Sequence, residues 1–452
     1  MSIIRNGIES ADLDVPVVLP TLNLDFANSQ SLDKRITFSR GSIGTFVNKN
    51  GLIETAAANT PRFDYDPISG ECRGLLIEES RTNYWKGTQL QSGTGGTISD
   101  GTAIGADGVI AKKFVPNLGN TAFPYLKDYV QYAIPAGAQV VGGTVDISFS
   151  GYFAAVADGL YVPDIVFSFS ASGTNYVYGE LLPNLTNGSV VSVTARSIDG
   201  ISQLITPQIT LMPFGMYKVT WSIRYTQGAI IRNTVEFGIQ CRKKTFPSGA
   251  TGTYYADGKN GFQFSCIQYE IGAFPTSYIP TTTAAVTRSA DTTSITGTNF
   301  SSWYNQTEST IFCKFNAYQL MSTVQRNVFN ITGPEPLGLN RIQLQLNGLG
   351  GGGTTQPIYH NLYQNGPNFV DYFGFSYTTG PTKNIMRYKD LDMMVVSKDG
   401  NIRRANNTPR TFTVPLTKTM NSLTFGTFNG AISRFTYYPR ALNDAEIQYL
   451  TQ

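Results

Sequence analysis

Polar and apolar residues alternate one for one along several stretches of this chain. In "MYKVTWSIRYT", Tyr217, Val219, Trp221, Ile223 and Tyr225 fall on one face. Lys218, Thr220, Ser222, Arg224 and Thr226 fall on the other. "VDISFSGYF" repeats the pattern with Val145, Ile147, Phe149 and Phe153, "NTVEFGIQC" with Val235, Phe237 and Ile239, and "RIQLQLNG" with Ile342, Leu344 and Leu346. Period-two alternation predicts strands with one dry and one wet face, as in antiparallel sandwiches. Turn signals lie between them at Asn187-Gly188, Asp199-Gly200, Lys398–Asn401 and Asn429-Gly430. A helix is predicted only near the last residues. In "YYPRALNDAEIQYLTQ", Asn443 is a fitting N-cap with Glu446 three residues on, and Ala445, Ile447 and Leu450 form a short apolar face.

The stretch from Asn260 to Asp291 changes character at about Phe274. Its front half reads as a strand that closes a middle sandwich, with Phe262 and Phe264 on one face and Ile267, Tyr269 and Ile271 on the other. Its back half, "PTSYIPTTTAAVTRSAD", reads as an extended connector stiffened by Pro275 and Pro280 and docked at Tyr278 and Ile279. "NGAISRFTYYPRAL" echoes the front half and is expected to close a second sandwich.

Composition supports an all-β reading. Charged residues make up 14% of the 452, so the polar surface is Ser, Thr, Asn, Gln and Tyr, and Gly 45 with Pro 22 supplies turns. A net charge of +3, with "RKK" at 242–244 as the one short basic run, argues against a nucleic-acid role. No apolar stretch approaches the roughly 18 residues of a membrane span, and the first residues lack the pattern of a signal peptide. Four scattered cysteines (Cys72, Cys241, Cys266, Cys313) and one histidine do not make a zinc site. Buried reduced thiols are the favoured reading, over a Cys241–Cys266 disulfide.

Candidate chemistry is sparse. His360 lies in a polar, loop-like context with no nucleophile motif beside it. Carboxylate pairs occur at Asp64/Asp66, Glu78/Glu79 and Asp390/Asp392. Glycoside hydrolysis takes two carboxylates, usually from different strands, so ion pairing with neighbours such as Arg62 or Arg81 is the favoured reading of each cluster. The glycine-rich "NGLGGGGTT" (Asn347–Thr355) has no lysine and no following helix, and reads as a loop. "DYDPISGE" offers oxygen ligands for Ca2+ without the EF-hand spacing, so no metal and no other cofactor is expected. Tyr84 with Trp85, Trp303 with Tyr304, and Tyr372 and Tyr377 are candidates for stacking on sugar rings, against core or inter-subunit packing for any single one.

The segment Leu22–Asn83, with "LDFA", "LDKRITFSRGSIGTFVN", "NTPRFDYDP" and "GLLIEESRTN" in order, resembles the N-terminal module of tailed-bacteriophage virion-surface proteins, the fibres and spikes. Thr276–Phe315 is similar to the join those proteins place between two β-sandwiches, and "FNGAISRFTYYPRALNDAEIQYL" to their last strand and helix. The resemblance implies tandem antiparallel sandwiches: a carbohydrate-binding-module-like jelly roll, then a concanavalin A/laminin-G-like sandwich with one short C-terminal helix. It divides the chain into an arm at 1–20 that serves as a virion anchor, an N-terminal β module at 21–90, the jelly roll at 91–274, an extended linker at 275–300 and the second sandwich at 301–452. It implies a non-enzymatic structural protein of the virion surface, made and assembled in the host cytoplasm. Lectin-like domains would bind host-surface polysaccharide, in a homo-oligomer, by analogy a trimer, held to other virion proteins through the N-terminal region. The alternatives are a ligand-free capsid or tail decoration protein and, third, a polysaccharide depolymerase.

Overall fold

The alternating stretches fold as strands, and the strands stack as two sandwiches. The computed structural model describes residues 19–451 apart from 87–94, 122–124, 157–160, 172–173, 197–199, 244–253, 319–324, 335–340, 347–355, 364–370, 378–379, 390–391, 398–400, 405–419 and 427. The glycine-rich stretch at 347–355 and nearly all of the expected anchor at 1–20 lie outside the described residues. The structure is all-β, built of antiparallel pairs.

The middle sandwich has a six-stranded sheet in the order Ile201–Leu211, Tyr217–Thr226, Thr144–Ala155, Phe262–Ile271, Ile110–Pro116, Gly96–Ile104. Its five-stranded partner runs Tyr125–Ala133, Thr234–Lys243, Tyr161–Ala171, Thr174–Pro183, Val190–Arg196. Between them lie the residues that the alternation assigned to dry faces: Val145, Ile147, Phe149, Phe153, Val219, Trp221, Ile223, Tyr225, Val235, Phe237 and Ile239. Phe149 stands opposite Trp221 in the register.

Two details depart from the expected pattern. Phe262, Phe264, Ile267 and Tyr269 all enter this one core, with Ile271 packed against it, instead of dividing between two faces. A bulge is the reason. Cys266 has φ 50°, and the register against Thr144–Ala155 shifts between Ser150 and Tyr152. One extra residue reverses the alternation, so even positions before it and odd positions after it share a face. The second departure is that the outer face of the six-stranded sheet is not wet at its centre. Ser148, Ser222, Gln268 and Glu270 on that face are 0% exposed, covered by parts of the chain outside the sandwich.

The terminal sandwich gathers strands from both ends of the sequence. Its eight-stranded sheet runs Asn401–Arg404, Asp392–Ser397, Gly380–Lys389, Glu308–Ala317, Gly430–Tyr438, Cys72–Ile77, Phe63–Tyr65, with Leu22–Asp25 also paired to Gly430–Tyr438. The seven-stranded sheet runs Thr37–Ser39, Thr292–Thr296, Ser422–Phe425, Arg326–Thr332, Arg341–Leu346, Gln356–Tyr363, Asp371–Tyr377. Residues 21–90 therefore do not stand apart as a module: Leu22, Leu24, Leu75 and Ile77 share one core with Ile342, Leu344, Phe435 and Tyr437. Gly74 marks the join. A Cβ there would lie 2.1 Å from the carbonyl oxygen of Ile432, so only glycine lets the two strands close.

The expected linker is also built into the sheets. Val286–Arg288 pairs with Arg81–Asn83, and Thr292–Thr296 pairs with both Thr37–Ser39 and Ser422–Phe425. Besides two helices of four residues each, the predicted helix forms at Asp444–Thr451. Its capping box is reciprocal: the Glu446 N–H donates to Asn443 Oδ1 at 3.0 Å and the Asn443 N–H to Glu446 Oε2 at 2.7 Å. Ile447 and Leu450 pack on Phe312 and Ile385, while Ala445 is exposed. All four cysteines are free thiols; three are buried, and Cys72 is half-buried. His360 belongs to a strand, not a loop, opposite Phe373.

Candidate functional site

Three arginines and two acids are buried together where the N-terminal strands meet the connector. Arg40, Arg62, Arg288, Glu78 and Asp291 are each no more than 1% exposed. Asp291 accepts hydrogen bonds from Arg40 Nη1 at 3.1 Å, Arg62 Nη2 at 2.5 Å and the Glu78 N–H at 2.9 Å. Glu78 accepts from Arg62 at 2.8 Å and from the Ser277 N–H and hydroxyl at 2.7 and 2.6 Å, with Arg288 3.5 Å away. Burial alone would raise the Glu78 pKa, but Arg288, Arg62 and Ser277 outweigh it and hold it at about 2. These residues come from "SRG", "PRFD", "IEES" and "TRSAD". The most distinctive motifs of the sequence are thus a buried ionic clasp, in which every charge depends on its partners.

The connector is pinned from the other side as well. Glu270 of the middle sandwich accepts from the Thr276 N–H and hydroxyl at 2.7 and 2.6 Å, and Gln268 Oε1 from the Ile279 N–H at 2.6 Å. Asn83 donates to the Ile267 and Ile279 carbonyls and accepts from the Tyr269 and Trp85 N–H groups. Gln268 and Glu270, buried polar residues on the outer face of the six-stranded sheet, hold this segment.

Beside the clasp lies a cleft of about 510 Å3, within the range of small-ligand sites. Strands and turns of the N-terminal region give one wall (Val47, Ile53, Asp64, Asp66, Arg73), and the outer face of the middle sandwich gives another (Tyr152, Thr210, Met212, Lys218). Ser277 and Tyr278 of the connector and Tyr318 and Asn429 of the terminal sandwich close it.

The charges in the cleft differ in how they are matched. Asp66 accepts from the Ile68 and Ser69 N–H groups at 2.8 and 3.0 Å and from Arg73 at 2.6 Å. Burial works to raise its pKa, and those donors outweigh burial and hold it below the usual range. Arg73 also lies over the Tyr318 ring at 5.1 Å. Asp64 accepts from the Val47 N–H at 2.8 Å and from the Tyr318 hydroxyl, and its burial pushes the carboxyl pKa up. Lys218 is half-buried, its Nζ 5.9 Å from the Tyr152 ring. It has no ion pair or hydrogen bond with the described residues, and burial pushes its pKa down. Asn429, 1% exposed with φ 55°, lines the same cleft, and neither atom of its carboxamide has a hydrogen-bond partner among the described residues. The Cys266 thiol, also in the lining, is pushed up to about 12 by burial and is not a nucleophile at neutral pH.

The aromatic residues singled out from the sequence lie elsewhere. Trp85 is 2% exposed in the middle core, 5.5 Å from the Tyr269 ring. Trp303 and Tyr304 are 3% and 9% exposed in the terminal core, against Phe300 and Tyr437. Their ring faces are taken by other rings, which leaves none for a sugar. Tyr84 is half-buried against Tyr132 and Phe237. The backbones of Tyr372 and Tyr377 belong to the edge strand Asp371–Tyr377, and their side chains lie outside the described residues. Sequence reasoning passed over Lys218 and Asn429. The one available signal was a lysine on the polar face it shares with Thr220, Ser222, Arg224 and Thr226, which reads as solvent-facing until the covering segment is known. No group of three or more His, Cys, Asp or Glu side chains that could hold a metal occurs among the described residues.

No protein-family model and no curated protein matches the chain. Among solved structures, Trypanosoma rangeli sialidase is similar at a TM-score of 0.27 and 12% identity, covering 63% of this chain and 52% of that one. The same sialidase in complex with sialic acid gives 0.25 and 12%, covering 80% and 61%. Mouse laminin alpha1 chain, domains LG4-5, gives 0.21 and 9%, covering 80% and 96%. The chain thus spans roughly half to three-fifths of the length of the sialidase chains it matches. Scores this low carry no argument about fold or function.

Proposed function

We propose that this chain is a fibre or spike protein of a tailed-bacteriophage virion and that it binds host-surface glycan in the cleft between its sandwiches. The cleft carries the glycan reading. It sets apolar walls (Tyr152, Met212, Ile53) beside donors and acceptors (Thr210, Asn429), the mixture that a sugar's ring faces and hydroxyls need. The virion reading rests on the motif resemblance across Leu22–Asn83, whose residues form the clasp. A homotrimer attached to other virion proteins through residues 1–20 fits that reading, because repeated weak sugar contacts add through avidity.

The reading is of a binder and not a hydrolase. Of three carboxyls in the cleft, Glu78 is tied to two arginines and Asp66 to Arg73 and two N–H groups, so Asp64 alone is left to move a proton. The common glycosidase route takes a pair. The ligand-free decoration protein is the second reading, favoured by the burial of Trp85, Trp303 and Tyr304. A glycan array supplemented with host-envelope extracts tests the binder, and silence across it leaves the decoration protein. Incubation with polysaccharide tests for cleavage: shortened chains would reinstate the depolymerase.

A further inference from the structure

Most charges near the cleft are already matched. Glu78 is tied into the clasp, Asp66 is met by Arg73, and Asp64 is held by the Val47 N–H and the Tyr318 hydroxyl. Lys218 is the exception: a half-buried ammonium in the cleft wall, 5.9 Å from the Tyr152 ring, with no ion pair or hydrogen bond among the described residues. A cation withdrawn from water is costly; Asp64 and Glu78 attract Lys218 only from beyond ion-pair reach, and an incoming anion in direct contact would relieve that cost. The Asn429 carboxamide, buried and unpartnered at the same cleft, offers a donor and an acceptor that a sugar hydroxyl pair would satisfy. Neither side chain makes a hydrogen bond or ion pair among the described residues. Both lack something a ligand would bring, and they come from different sandwiches.

We propose that the cleft selects an acidic glycan, Lys218 pairing with an anionic group of one sugar residue and Asn429 with its neighbouring hydroxyls. This rests on the glycan reading above. The anion is a carboxylate or a phosphate, since an ammonium reads either as a point charge.

The test is calorimetric titration of the full-length protein with three oligosaccharides of one backbone: uronate-bearing, phosphate-bearing, and carboxyl-reduced neutral. Binding of one or both acidic forms at least about tenfold tighter than the neutral form is expected, as for a charge-assisted hydrogen bond; the tighter of the two names the anion. Lys218→Gln should erase that preference and leave the weak neutral binding in place, while Lys218→Arg restores it in part. Circular dichroism of each variant checks the fold. Equal binding of acidic and neutral forms overturns the acidic selection and keeps the glycan reading. Lack of binding by all three, joined to a silent array, overturns both. An acidic preference that survives Lys218→Gln in a folded protein also overturns the assignment.

Discussion

Replacing Asp291 with asparagine removes one negative charge from the clasp and little else. The side chain is 0% exposed and receives Arg40 at 3.1 Å, Arg62 at 2.5 Å and the Glu78 N–H at 2.9 Å. In the variant, Arg40, Arg62 and Arg288 would share the single carboxylate of Glu78, and the new amide would turn N–H groups toward guanidiniums. Removing one partner of a buried ion pair costs about 3–5 kcal/mol, because the remaining charge is left uncompensated. The comparison is Asp100→Asn, which breaks the 2.6 Å pair with Lys112 on the surface, where the two side chains are 70% and 55% exposed. There the loss should stay under about 1 kcal/mol. Urea unfolding followed by tryptophan fluorescence reads both variants, since Trp303 reports the terminal core and Trp85 and Trp221 the middle one. The Asp291→Asn midpoint should fall well below that of Asp100→Asn at similar slope, first in the Trp303 signal. If the two variants lie within about 1 kcal/mol of each other, the clasp does not hold the connector and its motifs need another explanation.

Two further outcomes follow from the same geometry. The Glu78 pKa falls from 4.5 unfolded to about 2 folded, so its contribution is present above about pH 4.5 and is lost as pH falls toward 2. Linkage sets it at about 3 kcal/mol, and unfolding measured across that window should flatten in Glu78→Gln. Asn443→Ala removes the cap that accepts from Glu446 at 3.0 Å. It should cost about 1 kcal/mol, seen as faster amide exchange across Asp444–Thr451 with the sandwich cores unchanged.

Strand identity was legible wherever one face is buried in one core, as in Tyr217–Thr226, because alternation depends only on neighbours in sequence. The bulge at Cys266 was not, since an extra residue has meaning only against the partner strand. The merging of Leu22–Asp25 and Cys72–Ile77 with Gly430–Tyr438 was hidden for the same reason: hydrogen bonds between distant segments leave no local pattern. The motifs of Leu22–Asn83 stood out as a group, yet their role as a clasp needed Arg288 and Asp291 from the connector. The cleft draws on stretches of chain far apart in sequence, so Lys218 read as a solvent-facing lysine and Trp85 as an exposed ring until the covering segments were placed.

The pairing of Arg81–Asn83 with Val286–Arg288 has a consequence for how such chains diversify. Asn83 stands directly opposite Val286, so the chain leaves the terminal sandwich and re-enters it at one point. Everything between, the middle sandwich and the connector after it, is inserted at that two-strand neck, with further bonds back to the frame from Ser277, Tyr278 and Ala106. An exchanged insert would have to meet the neck and to bring back the Ser277 bonds to Glu78. Each exchange would replace the cleft wall that carries Tyr152 and Lys218 and keep the wall that carries Asp64 and Arg73. A ligand held there would then meet one changed wall and one constant one.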